Sequence, residues 1–177
     1  MNNGVLKSSD MYYENLFSRF EEEQIKYLIV GGLAVNLHGV PRMTADVEIA
    51  IAFNESNVNA LIALLEGLGF KPKAPVDPAR LADPNERIAW QNEKHMLALT
   101  FINHTNPLEE VDVLLQTPFD FDKAYDRREI VRAGRIQINV ACVDDLIRTK
   151  EGTGRKQDEA DIDSLRLVKE AEKHDDR

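Results

Sequence analysis

Apolar residues recur along the chain in two periods, and the switches between them mark out the elements. Between Asp10 and Gln24, Tyr13, Leu16, Phe17 and Phe20 fall at helical spacing with acids filling the other side, which predicts an amphipathic opening helix. Tyr27 to Val30 is a short run of strand formers. Gly31-Gly32 ends it, and Leu33, Ala34 and Leu37 resume at helical spacing, so the unit reads strand, double glycine, helix. After a loop holding Gly39, Pro41 and Arg42 the period shortens to two. Val47, Ile49 and Ile51 then share one side and Asp46, Glu48 and Ala50 the other, a strand from Asp46 to Ile51 with one wet face.

Asn54 caps a predicted helix from Glu55 to Leu68, whose stripe is Val58, Leu61, Ile62, Leu65 and Leu68 and whose stop is Gly69. Pro72, Pro75, Pro78 and Pro84 mark the next stretch as irregular. Strands follow at His95 to Ile102 and Glu110 to Leu115, parted by the turn-like Asn103 to Pro107. Thr117-Pro118-Phe119-Asp120 has the form of a capping box with proline at the first helical position, opening a short helix. Glu129 to Val131 and Arg135 to Val140 flank Ala133-Gly134 as a hairpin. Helices at Val143 to Lys150 and Asp158 to Lys173 close the chain, the latter turning Ile162, Leu165, Val168 and Ala171 inward.

Strands and helices mix without strict alternation, so the fold class is α+β (mixed α/β), a small mixed sheet packed by helices with further helices at the C-terminus. The expected division is an N-terminal helix over 1–26, a core over 27–141 and a C-terminal helical segment over 142–177. A chain of 177 residues with 43 % hydrophobic and 30 % charged content has the composition of a folded domain, not of a disordered or collagen-like one. Cys142 is the one cysteine, which excludes an internal disulfide framework and a multi-thiolate zinc site. Tyr27 to Leu37 is the longest apolar run, far short of a membrane span. Met1 to Asp10 is polar, without the order of a secretory signal, and the expected location is cytoplasmic. A net charge of −9 argues against wrapping a long duplex. A local basic cluster at Arg148, Lys150, Arg155 and Lys156 leaves small phosphorylated ligands as easier partners.

The acids on strands carry the most information. Aspartate is disfavoured in strands, yet Asp46 opens one and Asp112 sits within Glu110-Val111-Asp112-Val113-Leu114. If these strands pair, Asp46, Glu48 and Asp112 converge, and converging carboxylates repel unless a cation is present. Such oxygen donors suit magnesium or manganese. The same acids also suit the solvated face of an antiparallel sheet, and the strand pattern alone leaves both readings open. Gly31-Gly32 lies directly after a strand and before a helix, where backbone amides can approach an anion, although glycine pairs also serve as plain turns.

Val30-Gly31-Gly32-Leu33-Ala34, then His38-Gly39, then Arg42-Met43-Thr44-Ala45-Asp46-Val47-Glu48-Ile49 resembles the nucleotidyltransferase superfamily related to DNA polymerase beta. The likeness is to the bacterial abortive-infection toxin type and the minimal nucleotidyltransferases. Val111-Asp112-Val113-Leu114 matches the third element of that pattern, and Asp145 to Lys150 with Arg155 to Asp158 and Asp161-Ile162 resembles the toxin-type C-terminus. The likeness runs from about Tyr27 to Leu165. It implies transfer of a nucleoside monophosphate from a nucleoside triphosphate, ATP or another, to a tRNA end, a protein hydroxyl or a small molecule, in a toxin–antitoxin or phage-defence setting. It also implies Mg2+ or Mn2+ on Asp46, Glu48 and Asp112, and Gly31, Gly32, Arg42 and Thr44 around the nucleotide. Asp112 would orient or deprotonate the acceptor, and Lys150, with Arg42, would neutralise the triphosphate.

Glu48 departs from the Asp-x-Asp of the pattern, and its extra methylene shifts a carboxylate that magnesium needs in near-octahedral geometry. That departure supports the alternative of a catalytically weakened relative acting as a binding or regulatory partner, such as an antitoxin-like subunit; on either reading the expected protein partners are an antitoxin or a second copy of the chain, a homo-oligomer. Arg42 equally suits a salt bridge to the acidic strand, and Lys150 a solvated helix face. The histidines have no metal-ligand spacing, Cys142 sits in an apolar setting unlike that of a nucleophile, and Tyr27 and Trp90 read as packing residues.

Overall fold

The computed structural model describes residues 8–44 and 46–175. The first seven residues of the polar N-terminus, and Ala45 of the Thr44-Ala45-Asp46 run, lie outside the described residues. Helix α1 spans Ser8–Glu22, strand β1 Tyr27–Ile29, helix α2 Gly31–Leu37, strand β2 Val47–Ile51 and helix α3 Glu55–Gly67. Strand β3 is Phe70–Pro72, and a 3-10 turn at Pro78–Ala82 leads into helix α4, Pro84–Lys94. Strands β4 (Ala98–Asn103) and β5 (Glu110–Leu114), helix α5 (Phe121–Asp126), the hairpin β6 (Glu129–Ala133) and β7 (Ile136–Val140), and helices α6 (Val143–Lys150) and α7 (Lys156–Asp175) complete the chain.

Among the described residues the strands form one mixed sheet in the order β3-β4-β5-β2-β1-β7-β6. Parallel pairing joins β2 to β5 and β1 to β7, and the other neighbours are antiparallel. The register of β2 and β5 sets Val47 beside Val111 and Ile49 beside Val113, all fully buried, so these positions share the core face. Glu48 and Asp112 are likewise register partners, on the opposite face, because side chains alternate along a strand. Helix α1 enters the core through Leu16, Phe17 and Phe20, with the Phe20 ring edge-on to Tyr27 at 4.7 Å between centroids. Leu146 of α6 and Leu165 of α7 join the same core. No helix among the described residues is long and apolar enough to cross a membrane.

The proline-marked stretch, expected from sequence to be irregular, holds a 3-10 turn and a helix. Pro78 and Pro84 each stand in the first turn of a helix, where a missing N–H costs nothing. Asp77 and Asp83 cap those turns, accepting from the amides of Ala79 and Asn85. Pro72 ends the edge strand β3, and buried Trp90 anchors α4 to the core. Helix α4 runs to Lys94 and ends on His95 at φ +54°, so β4 begins at Ala98 and not at His95. Helix α5 is capped by Asp120, which accepts from the Lys123 amide, while the Thr117 hydroxyl donates to the Phe119 carbonyl. Thr117 to Asp120 is therefore a turn before the helix and not its first turn.

Candidate active site

An open cleft of about 550 Å³ lies over the sheet face that carries Glu48 and Asp112. Its floor follows the sheet order from Ala98 on β4, through Asp112 and Leu114 on β5 and Glu48 on β2, to Val30 and Gly31 at the end of β1. Arg42, Lys150 and Arg155 stand on the β1 side, and Gln91, Leu97, Gln116 and Pro118 on the β4 side.

Gly31 has φ +63°, and a Cβ built there would stand 1.6 Å from Glu48 Oε2, so the carboxylate occupies the space a side chain would take. Glu48 Oε2 accepts the Gly32 amide at 3.1 Å. The double glycine thus holds a carboxylate of its own chain at the amide where the sequence reading placed a nucleotide phosphate. A Cβ on Gly32 would meet Thr44 Oγ1 at 2.8 Å and Arg42 Cζ at 3.0 Å, so the second glycine lets Thr44 and the Arg42 guanidinium pack against the helix start.

Of the three acids singled out on the strands, Glu48 and Asp112 line the cleft and Asp46 is not among the lining residues. It stands one residue ahead of β2, outside the cleft lining, and its charge, after burial, raises the pKa of the Tyr13 hydroxyl on α1. No group of three or more His, Cys, Asp or Glu side chains among the described residues is arranged to hold a metal ion. Three carboxylates line the cleft: Asp158, which is paired to Lys150 and Arg155, and Glu48 and Asp112 on the sheet.

The cations are tied down from α7. Asp161 accepts Lys150 Nζ at 2.7 Å, Arg42 Nη1 at 2.5 Å and Gln157 Nε2 at 3.0 Å. Asp158 accepts Lys150 at 3.2 Å, Thr153 Oγ1 at 2.7 Å and Arg155 Nε at 3.0 Å. Lys150 is 5 % exposed, which makes it a buried ion and not a lysine on a solvated face. Arg42 pairs with α7 and not with the acidic strand beside it. For Asp158, burial favours the neutral acid, but hydrogen bonds from Thr153 and Lys150 and the nearby positive charges outweigh it and lower the pKa. The signal for this network was present in sequence: Asp158 and Asp161, three apart, share one helix face.

Two polar atoms at the cleft are buried without a hydrogen-bond partner among the described residues: Asp112 Oδ1, an acceptor, and Arg42 Nε, a donor. Native structures leave few such groups unpaired. Cys142 lies elsewhere, at the start of α6. Burial raises its thiol pKa, and Sγ donates to Asp145 Oδ2 at 3.3 Å, in keeping with a non-nucleophilic residue.

Known proteins share this architecture. The chain is similar in structure to the lincosamide antibiotic adenylyltransferase LnuA solved with lincomycin bound, at TM-score 0.59 and 14 % identity over 92 % of this chain and 98 % of that one. It is similar also to ANT(2")-Ia in complex with adenylyl-2"-tobramycin, at TM-score 0.54 and 9 % identity over 97 % of this chain and 100 % of that one. At such identities the likeness is one of fold. Among curated proteins no relative matches the chain. Residues 7–173 match the family described as "Nucleotidyltransferase of unknown function (DUF6036)", and over nearly its whole length the chain belongs to that family of nucleotidyltransferases.

Proposed function

We propose that the cleft binds a nucleoside triphosphate with a divalent cation and transfers its nucleoside monophosphate to an acceptor hydroxyl. The observation that carries this reading is the pair of unsatisfied buried atoms, an anionic acceptor on Asp112 and a cationic donor on Arg42, which a metal–phosphate ligand would satisfy together. Asp112 and its register partner Glu48 offer hard carboxylate oxygens, the donor type that magnesium and manganese take, so the residues present fit such an ion. When bound, the cation would offset charge on the phosphate oxygens next to the reacting phosphorus.

The chain's own groups do the rest. Lys150 carries three N–H donors and spends two on Asp158 and Asp161, leaving one for a phosphate. Arg42 adds its Nε, and Arg155, at the rim, adds a further positive charge. Asp112 orients the acceptor hydroxyl and receives its proton as the new oxygen–phosphorus bond forms. The bond to the β-phosphate breaks, and pyrophosphate leaves toward Lys150, Arg42 and Arg155. Small hydroxyl compounds suit an open cleft of this volume as acceptors. A reducing, cytoplasmic setting suits a chain with a single cysteine.

Calorimetric titration with ATP, GTP, CTP and UTP, with and without magnesium, tests the reading. At least one nucleotide should bind with magnesium, and Asp112→Asn should remove the magnesium-dependent part; no heat with any of them overturns it. A second reading draws on Glu48, whose carboxylate already serves the Gly32 amide. On that reading the chain binds nucleotide without transferring it and acts as a regulatory partner, and binding without pyrophosphate release would favour it.

A further inference from the structure

The two sides of the cleft differ in kind. On the β1 side every cation is present: Arg42, Lys150 and Arg155. On the β4 side the lining is Leu97, Ala98, Leu114 and Pro118 with two side-chain amides and the Thr117 hydroxyl, which donates to the Phe119 carbonyl, and among the described residues it carries no charge. Ala98 and Leu114 are register partners, so they form one continuous apolar strip beside Asp112. Leu97 stands 76 % exposed at its edge, a large apolar side chain open to the cleft. Gln91 of α4 donates from Nε2 to Gln116 Oε1 at 3.2 Å, which fixes the two amides side by side and leaves Gln91 Oε1 and Gln116 Nε2 to face a ligand.

Phosphoryl chemistry assigns this wall. Attacking and leaving oxygens lie roughly in line across the phosphorus. If pyrophosphate departs toward the cations on the β1 side, the acceptor must approach from the β4 side, past Asp112. This step rests on the function proposed above. A polycationic acceptor would find no carboxylate on that wall beyond the two at the reaction centre. A polyanion would find no cation there, and it would meet a chain of net charge −9.

We infer that the acceptor is an uncharged, hydroxyl-bearing small molecule with a planar apolar ring, seated on Leu97, Leu114 and Pro118 with its polar edge on Gln91 and Gln116 and its hydroxyl on Asp112. Such a ligand matches the wall atom type for atom type: ring faces to apolar side chains, ring edge to amides, hydroxyl to carboxylate.

The test uses the full chain with magnesium and α-32P-labelled nucleoside triphosphates. Uncharged probes are the four ribonucleosides and phenyl β-D-glucoside; the polycationic probe is kanamycin. Label should pass to at least one uncharged probe and not to kanamycin. Leu97→Asp and Gln116→Ala, both on exposed positions, should each raise the KM for that probe about tenfold, the equivalent of ~1.4 kcal/mol, while nucleotide affinity by calorimetry stays as in the wild type. Labelling of kanamycin overturns the inference. So does nucleotide binding with no uncharged probe labelled, and so does an acceptor KM indifferent to both substitutions. Loss of nucleotide binding in the wild type itself would instead sink the underlying function.

Discussion

Asp161→Ala is the sharpest test of how the cleft is held together. The Asp161 side chain is 3 % exposed and accepts from a buried lysine, an arginine and a glutamine at 2.5–3.0 Å. Removing one partner of a buried ion pair costs about 3–5 kcal/mol, because the other charge stays buried and unpaired. Here Lys150 keeps Asp158 at 3.2 Å, and Arg42, with 22 % of its side chain exposed, can turn toward water. Those two outlets place the loss at the lower end, about 3 kcal/mol. For a domain of this size each kcal/mol moves the thermal midpoint by about 2–4 °C, so the midpoint should fall by roughly 6–12 °C. The matched control is Asp163→Ala on the same helix. Its side chain is 79 % exposed and 3.7 Å from Arg166, and the change should cost no more than about 0.5 kcal/mol. Urea unfolding of both variants, with midpoints and slopes compared to the wild type, is the assay. A loss below about 1 kcal/mol for Asp161→Ala, or equal losses for the two variants, would refute the claim that α7 anchors the cleft cations.

Other expectations follow from the same geometry. Asp112→Asn replaces a half-buried carboxylate with one buried, unsatisfied oxygen, so unfolding should show stability unchanged or raised by up to about 1 kcal/mol while magnesium-dependent nucleotide binding is lost. Gly31→Ala puts a Cβ at φ +63° into the Glu48 carboxylate, so it should destabilise by at least about 1 kcal/mol and cut nucleotide binding, both readable on one purified variant. Burial holds the Tyr27 hydroxyl above the usual tyrosine range, and Tyr125 and Glu21 push it the same way. A raised pKa stabilises below the unfolded value of about 10 and is lost above it. The phenolate absorbance of Tyr27 should therefore appear only as the chain unfolds in alkali, and Tyr27→Phe should flatten that alkaline loss. Asp158 has a lowered pKa, so its contribution is full above the unfolded carboxylate value and vanishes as pH falls through the lower folded value. Asp158→Asn should lose less stability than the wild type on acidification below about pH 4.

How much of this was legible from the chain depends on distance along it. The strand, double glycine and helix at 27–37, the alternating β2, the hairpin at 129–140 and the terminal helices are encoded by neighbours, and local periodicity reads them. The stretch 72–94 misled because proline breaks a helix interior yet opens a helix. Only the aspartates at 77 and 83, each directly ahead of a proline, marked the second use. The cleft was legible in its residue types and not in its partnerships. Arg42 and Asp161 are 119 positions apart, and nothing local to either names the other.

That partnership gives the C-terminal helix a place in the chemistry. Lys150 and Arg42 approach the cleft from different segments, and like charges so close would repel and stay hydrated if left alone. Asp161 accepts from both at once, so it holds two cations at one end of the cleft at a fixed separation and leaves donors on each to spare. Glu48 plays the complementary part at the other pole. Bound to the Gly32 amide and lying where a Gly31 side chain would be, it is kept beside Asp112 instead of swinging to water. The cleft is therefore preorganised as a dipole, with positive charge toward α7 and negative charge over the parallel pair β2 and β5, and its two unsatisfied atoms stand one at each pole. A ligand that carries phosphate and a divalent cation together matches both poles without requiring either to move.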